Sequence, residues 1–75
     1  MNVDKILDAK GLACPMPIVK TKKAMDELIS GEVLEIQATD KGAKLDLTAW
    51  ARSGGHELLD EAEENGVFTF YIKKG

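Results

Sequence analysis

A single cysteine, Cys14, lies in the run Gly11-Leu12-Ala13-Cys14-Pro15-Met16-Pro17, directly ahead of a stretch with helical periodicity. Proline is tolerated in the first turn of a helix, where its missing N–H would find no intrahelical partner, so Pro15 and Pro17 fit a helix opening here. Cys14 then falls near the N-cap. The positive end of the helix dipole favours an anion there, and the expected direction is a lowered thiol pKa. The prolines remove two donors from the turn and leave the Met16 N–H as the obvious local one. Free cysteine is also among the most buried residue types, which gives the bland alternative of a small core hydrophobe. Gly11, Pro15 and Pro17 weigh against it, because they shape an unusual backbone around the sulfur that packing alone would not require.

One cysteine excludes an internal disulfide and a dithiol oxidoreductase, since no resolving thiol exists within the chain. A cysteine hydrolase would need a base, and the one histidine, His56, follows Gly54-Gly55 at a predicted strand start, a place more typical of a surface residue. One Cys, one His and dispersed carboxylates lack the clustered spacing of a metal site. What remains is a thiol that accepts a group and passes it on, such as a sulfane sulfur held as a persulfide. Such a carrier is expected to need no bound cofactor.

The elements that must position this thiol follow from periodicity. Lys5 to Ala9 is a short strand candidate that stops at Lys10-Gly11. The first helix is predicted over Pro15 to Ser30, with Ile18, Met25 and Ile29 on its apolar face, Leu28 at the edge and Gly31 ending it. In Glu32 to Thr39, Leu34, Ile36 and Ala38 alternate with polar residues, as in a strand with one buried face. Asp40 is a candidate N-cap for a second helix reaching about Ser53, with Ala43, Leu47, Trp50 and Ala51 on one face. The stretch 57–64 has helical propensity, yet it leads into Asn65-Gly66, a strong hairpin signal, and Val67 to Lys73 is β-rich. A hairpin is therefore expected. Strands separated by helices are expected to be parallel neighbours and the final hairpin an antiparallel pair, so the order βαβαββ implies an α/β (α+β) fold, a two-layer sandwich with a mixed four-stranded sheet and both helices packed on one face.

Seventy-five residues make one small domain, expected over 1–75. With no apolar leader, no membrane-length stretch and no paired cysteines, a reducing cytoplasm is the expected setting. The net charge of -3 argues against direct nucleic-acid binding. The acidic excess is C-terminal, in Glu57, Asp60, Glu61, Glu63 and Glu64. Lys20, Lys22, Lys23, Lys41 and Lys44 are candidates for a basic rim around the thiol, with a solvated helix face as the alternative.

Leu7-Asp8-Ala9, Gly11-Leu12, Cys14-Pro15-x-Pro17, Asp40 after the second strand and the C-terminal hairpin together resemble the TusA/SirA sulfur-carrier family, over essentially the whole chain. The resemblance implies a two-layer α/β sandwich and a persulfide on Cys14, with Gly11, Leu12, Pro15 and Pro17 as supporting motif residues. It implies a cysteine desulfurase or rhodanese-like donor and a downstream relay protein, serving tRNA thiolation or other sulfur metabolism. Lys20, Asp40, Lys44, Asp46 and His56 are the candidate partner or substrate contacts, and a monomer is expected. Where many members have an Arg-Asp-Ile-Pro-like stretch, this chain has Leu45-Asp46-Leu47-Thr48; Asp46 matches, Leu45 replaces the basic residue and Thr48 the proline. The rival reading is a non-catalytic interaction or regulatory module in which Cys14 is structural.

Overall fold

The computed structural model describes residues 2–75. The chain forms β1 (Lys5–Ala9), α1 (Met16–Asp26), β2 (Val33–Ala38), α2 (Ala43–Ser53), β3 (Glu57–Glu64) and β4 (Val67–Lys73). The four strands make one sheet in the order β1-β2-β4-β3. β1 pairs parallel to β2, and β4 is antiparallel to both its neighbours. The α+β class, the mixed sheet and the hairpin agree with the periodicity. Strand adjacency does not. The crossover through α2 carries the chain from β2 past the position of β4, so β2 and β3 share a direction without being neighbours. Composition explains the order: Phe70 and Ile72 are buried and need strands on both sides, whereas the glutamates of β3 suit an edge exposed to water.

Alternation along the strands decides which face is covered. Leu34, Ile36 and Ala38 stand opposite Ile72, Phe70 and Phe68 in the β2–β4 register. They form the core with Ala24, Met25 and Leu28, and with Ala43, Leu47 and Ala51 from α2. The intervening residues, Glu35 and Gln37 opposite Tyr71 and Thr69, form the other face. The turn joining β3 to β4 has Asn65 at φ 53° and Gly66 at φ 80°, the left-handed pair that a two-residue hairpin loop requires.

The first helix is shorter than its periodicity suggests, and its buried stripe is rotated. It ends at Asp26, with Glu27 as C-cap, and Leu28 folds back through a bond from its N–H to the Met25 carbonyl at 3.0 Å. The Lys74 ammonium, arriving from the far end of the sequence, donates to the Met25 carbonyl at 3.0 Å and also to that of Leu28. These bonds satisfy carbonyls that a continuing helix would have used. The buried side chains are Pro17, Thr21, Ala24 and Met25. Thr21 is tolerated inside because its hydroxyl donates to the Pro17 carbonyl at 2.7 Å. Ile29, expected on the apolar face, is 72% exposed, and Leu28, expected at its edge, is buried. Trp50 is half-buried rather than central to the core, and packs against it from one side.

The rotated stripe has a measurable consequence. Leu28→Ala should lower unfolding free energy by about 2–5 kcal/mol, whereas Ile29→Ala should change it by no more than about 0.5 kcal/mol. Urea denaturation followed by circular dichroism separates the two; equal costs would contradict the packing.

Candidate functional site

Cys14 sits in the loop between β1 and α1, and its side chain is exposed. The core-hydrophobe alternative therefore does not hold. Because β1 and β2 are parallel, the loop that follows β1 and the loop that follows β2 leave the sheet at the same end. Ala9 and Ala38, the paired last residues of these strands, are both fully buried beneath them. Gly11, at φ 81°, donates its N–H to the Thr39 hydroxyl at 2.9 Å, which ties the two loops together. A residue with a side chain would be strained at that φ. Lys10 ties the first loop to β2 itself, its ammonium donating to the Gln37 side-chain oxygen at 2.9 Å.

Pro15 occupies the N-cap of α1, no side chain caps the helix, and the Cys14–Pro15 peptide is cis. Pro17 is buried and Leu12 packs partly against the core, so both motif residues anchor the loop. The Met16 N–H is already committed, donating to the Ala13 carbonyl at 2.9 Å.

The structure reverses the expected direction of the thiol's acidity. The Cys14 pKa is raised, first by a hydrogen bond with the Asp46 carboxylate, then by partial desolvation and by the negative charges of Asp46 and Asp40. The helix dipole loses because Pro15 and Pro17 donate nothing and Met16 is occupied, while two carboxylates face the sulfur. Asp46 lies in the first turn of α2. Asp40 is not the N-cap expected of it. Gly42 holds that position without a side-chain cap, and Asp40 instead accepts the Ala43 N–H through its backbone carbonyl at 3.0 Å. Its freed carboxylate stands over Gly42 beside that of Asp46: a Cβ there would lie 3.4 Å from Asp40 Oδ2 and 3.7 Å from Asp46 Oδ2.

The other candidates disperse. Lys44 turns to Glu61 on β3, 3.5 Å away, and Lys20 lines the opposite flank beside β1, so no single basic rim forms from them. His56 lies beyond the C-terminal end of α2, stacked on Trp50 with ring centroids 5.0 Å apart, and its Nδ1 accepts the Gly75 N–H at 3.1 Å. Asp46 is in the first turn of α2 and His56 lies past its last residue, Ser53, so about 10 Å of helix separates them and a Cys14–His56 dyad is not assembled. Thr39 went unrecognised in the sequence, where a lone threonine after a strand carries no chemical signal. Exposed apolar side chains flank the site as well: Met16 and Val19 on α1, and Leu45, 77% exposed, beside Asp46.

The family profile for sulfurtransferase TusA matches residues 5–74, so the chain belongs to the TusA family. It is 67% identical over 75 residues to YrkI of Bacillus subtilis (strain 168), covering 100% of both chains. It is 48% identical over 73 residues to the sulfur carrier protein TusA of Allochromatium vinosum, covering 97% of this chain and 96% of that one. Among solved structures it resembles the SirA-like protein from Desulfitobacterium hafniense, with a TM-score of 0.84 at 29% identity, covering 95% of this chain and 97% of the other.

The carboxylates should control the thiol measurably. Asp46→Asn removes a negative charge that disfavours the thiolate, so the Cys14 pKa should fall and alkylation at fixed near-neutral pH should accelerate. The pH dependence of iodoacetamide labelling gives both values; an unchanged pKa would show that Asp46 does not govern the sulfur.

Proposed function

We propose that this protein is a sulfur carrier that holds sulfane sulfur as a persulfide on Cys14 and delivers it to a downstream acceptor protein. The observation that carries the reading is the exposed lone thiol at the head of α1, faced by the carboxylates of the α2 end, in a chain of the TusA family. The Cys14 sulfur attacks the outer sulfur of a donor persulfide. A new S–S bond forms at Cys14, the S–S bond of the donor breaks, and the donor cysteine leaves as its thiolate. Asp46, whose carboxylate raises the thiol's pKa, is the base that takes up the proton displaced as the bond forms. Delivery repeats the exchange with the roles reversed, so the cycle needs no external oxidant or reductant.

A cysteine desulfurase or a rhodanese-like protein is the donor of suitable chemistry. Asp40 and Asp46 are the contacts closest to the exchange. The exposed Met16, Val19 and Leu45 give a docked partner apolar surface around it. Leu45 at that rim favours an apolar contact where many family members offer a cation. Among the described residues no helix is long and apolar enough to cross a membrane, and a cytoplasmic relay is the setting that the reading implies.

Incubation of the wild-type protein with cysteine, pyridoxal phosphate and a bacterial cysteine desulfurase should add the mass of one sulfur atom, removable by a reducing thiol, and Cys14→Ala should gain none. Intact-protein mass spectrometry gives the answer. Equal gain by the variant, or no gain from either a desulfurase or a rhodanese with thiosulfate, would leave the interaction-module reading in its place.

A further inference from the structure

The flank between α1 and the outer edge of β1 carries a groove that the sulfur chemistry does not use. Among the described residues β1 is an end strand paired with β2 alone, and its other edge has no strand partner there. Backbone donors and acceptors along such an edge form a template for another extended chain. The groove beside it encloses about 170 Å³, with Leu7 and Ala24 among its lining and Lys5, Lys20, Lys23 and Glu27 around them. Lys5 and Glu27 are ion-paired, which neutralises the end farther from Cys14. Lys20 and Lys23 make no ion pair among the described residues, so the end nearer Cys14 carries uncompensated positive charge. The chain as a whole has a net charge of -3, so this basic strip is a local feature and not a general property of the surface.

We propose that this groove binds an acidic, extended segment of a partner protein, which adds to the free edge of β1 and sets its carboxylates against Lys20 and Lys23. Apolar side chains of the segment rest over Leu7 and Ala24. Main-chain pairing supplies affinity in such strand addition, while the side chains facing the groove supply selectivity. An apolar lining beside a bare strand edge fits a peptide and not a phosphate backbone, which would need a longer run of cations. The site lies on the flank of α1 away from α2, so its occupation leaves the thiol open. The inference stands independently of what Cys14 carries.

Titration of the 15N-labelled protein with a short synthetic peptide of glutamate and valine tests the proposal. The amides of β1 and of residues 20–27 should shift, and the same peptide with glutamine in place of glutamate should bind more weakly. The double variant Lys20→Glu, Lys23→Glu, checked for folding by its own amide spectrum, should lose roughly tenfold in affinity. Unmoved β1 amides, shifts confined to other surfaces, or equal binding of the glutamine peptide would overturn the assignment. Shifts at β1 and β3 that grow with protein concentration alone, accompanied by self-association in sedimentation, would place a second copy's acidic β3 edge in the groove and overturn it too.

Discussion

The parallel pairing of β1 with β2 is the constraint on which the site depends. Two parallel strands end at the same edge of a sheet, and each is followed here by a loop and a helix. The head of α1 and the head of α2 are thus forced to the same end of the molecule. One brings Cys14 and the other brings Asp40 and Asp46, although these lie far apart in sequence. The rule that functional groups gather beyond the carboxyl ends of parallel strands holds in this two-strand case. Burial keeps the arrangement rigid. Ala9 and Ala38 let the loops sit close over the core, while the Gly11–Thr39 bond fixes one loop to the other.

That convergence sets two electrostatic influences against each other at one sulfur. A helix start favours the thiolate and acts mainly through free first-turn N–H groups. The prolines and the Met16–Ala13 bond take away the donors nearest the sulfur, so the nearby carboxylates prevail and raise the thiol's pKa. For an exposed, unpaired cysteine this is protective, because oxidants and electrophiles attack the thiolate. Any substitution at this sulfur then requires proton removal at the moment of contact, and the Asp46 carboxylate is the base at hand.

Much of this was legible in the sequence, for reasons that differ by element. Alternation in 34–38 and 68–72 fixes which sheet face is buried, and Asn65-Gly66 outweighs the helical propensity of 57–64, so the strands and hairpin follow from local chemistry. The end of α1 was not legible, since it depends on Lys74 reaching its carbonyls from near the end of the chain. Thr21 looks polar by type and is core by virtue of one hydroxyl bond to its own helix. Cys14 itself was evident from its prolines and glycine. Its acidity was not, because the opposing charges come from a second helix whose approach no local pattern records. The same holds for Asp40, whose side chain is diverted from capping once Gly42 starts the helix. Lys20 and Lys44 look alike in sequence and end on opposite flanks because their helices face opposite neighbours.

Cyanolysis of the loaded protein reports whether Cys14 holds sulfur in a form that can be passed on. Cyanide removes the outer sulfur of a persulfide as thiocyanate and leaves the thiolate behind. Thiocyanate should equal the loaded protein in amount, with Cys14 returned to a free thiol that can be loaded again. Thiocyanate released equally from Cys14→Ala, or bound sulfur that resists cyanide, would contradict a transferable sulfur on Cys14.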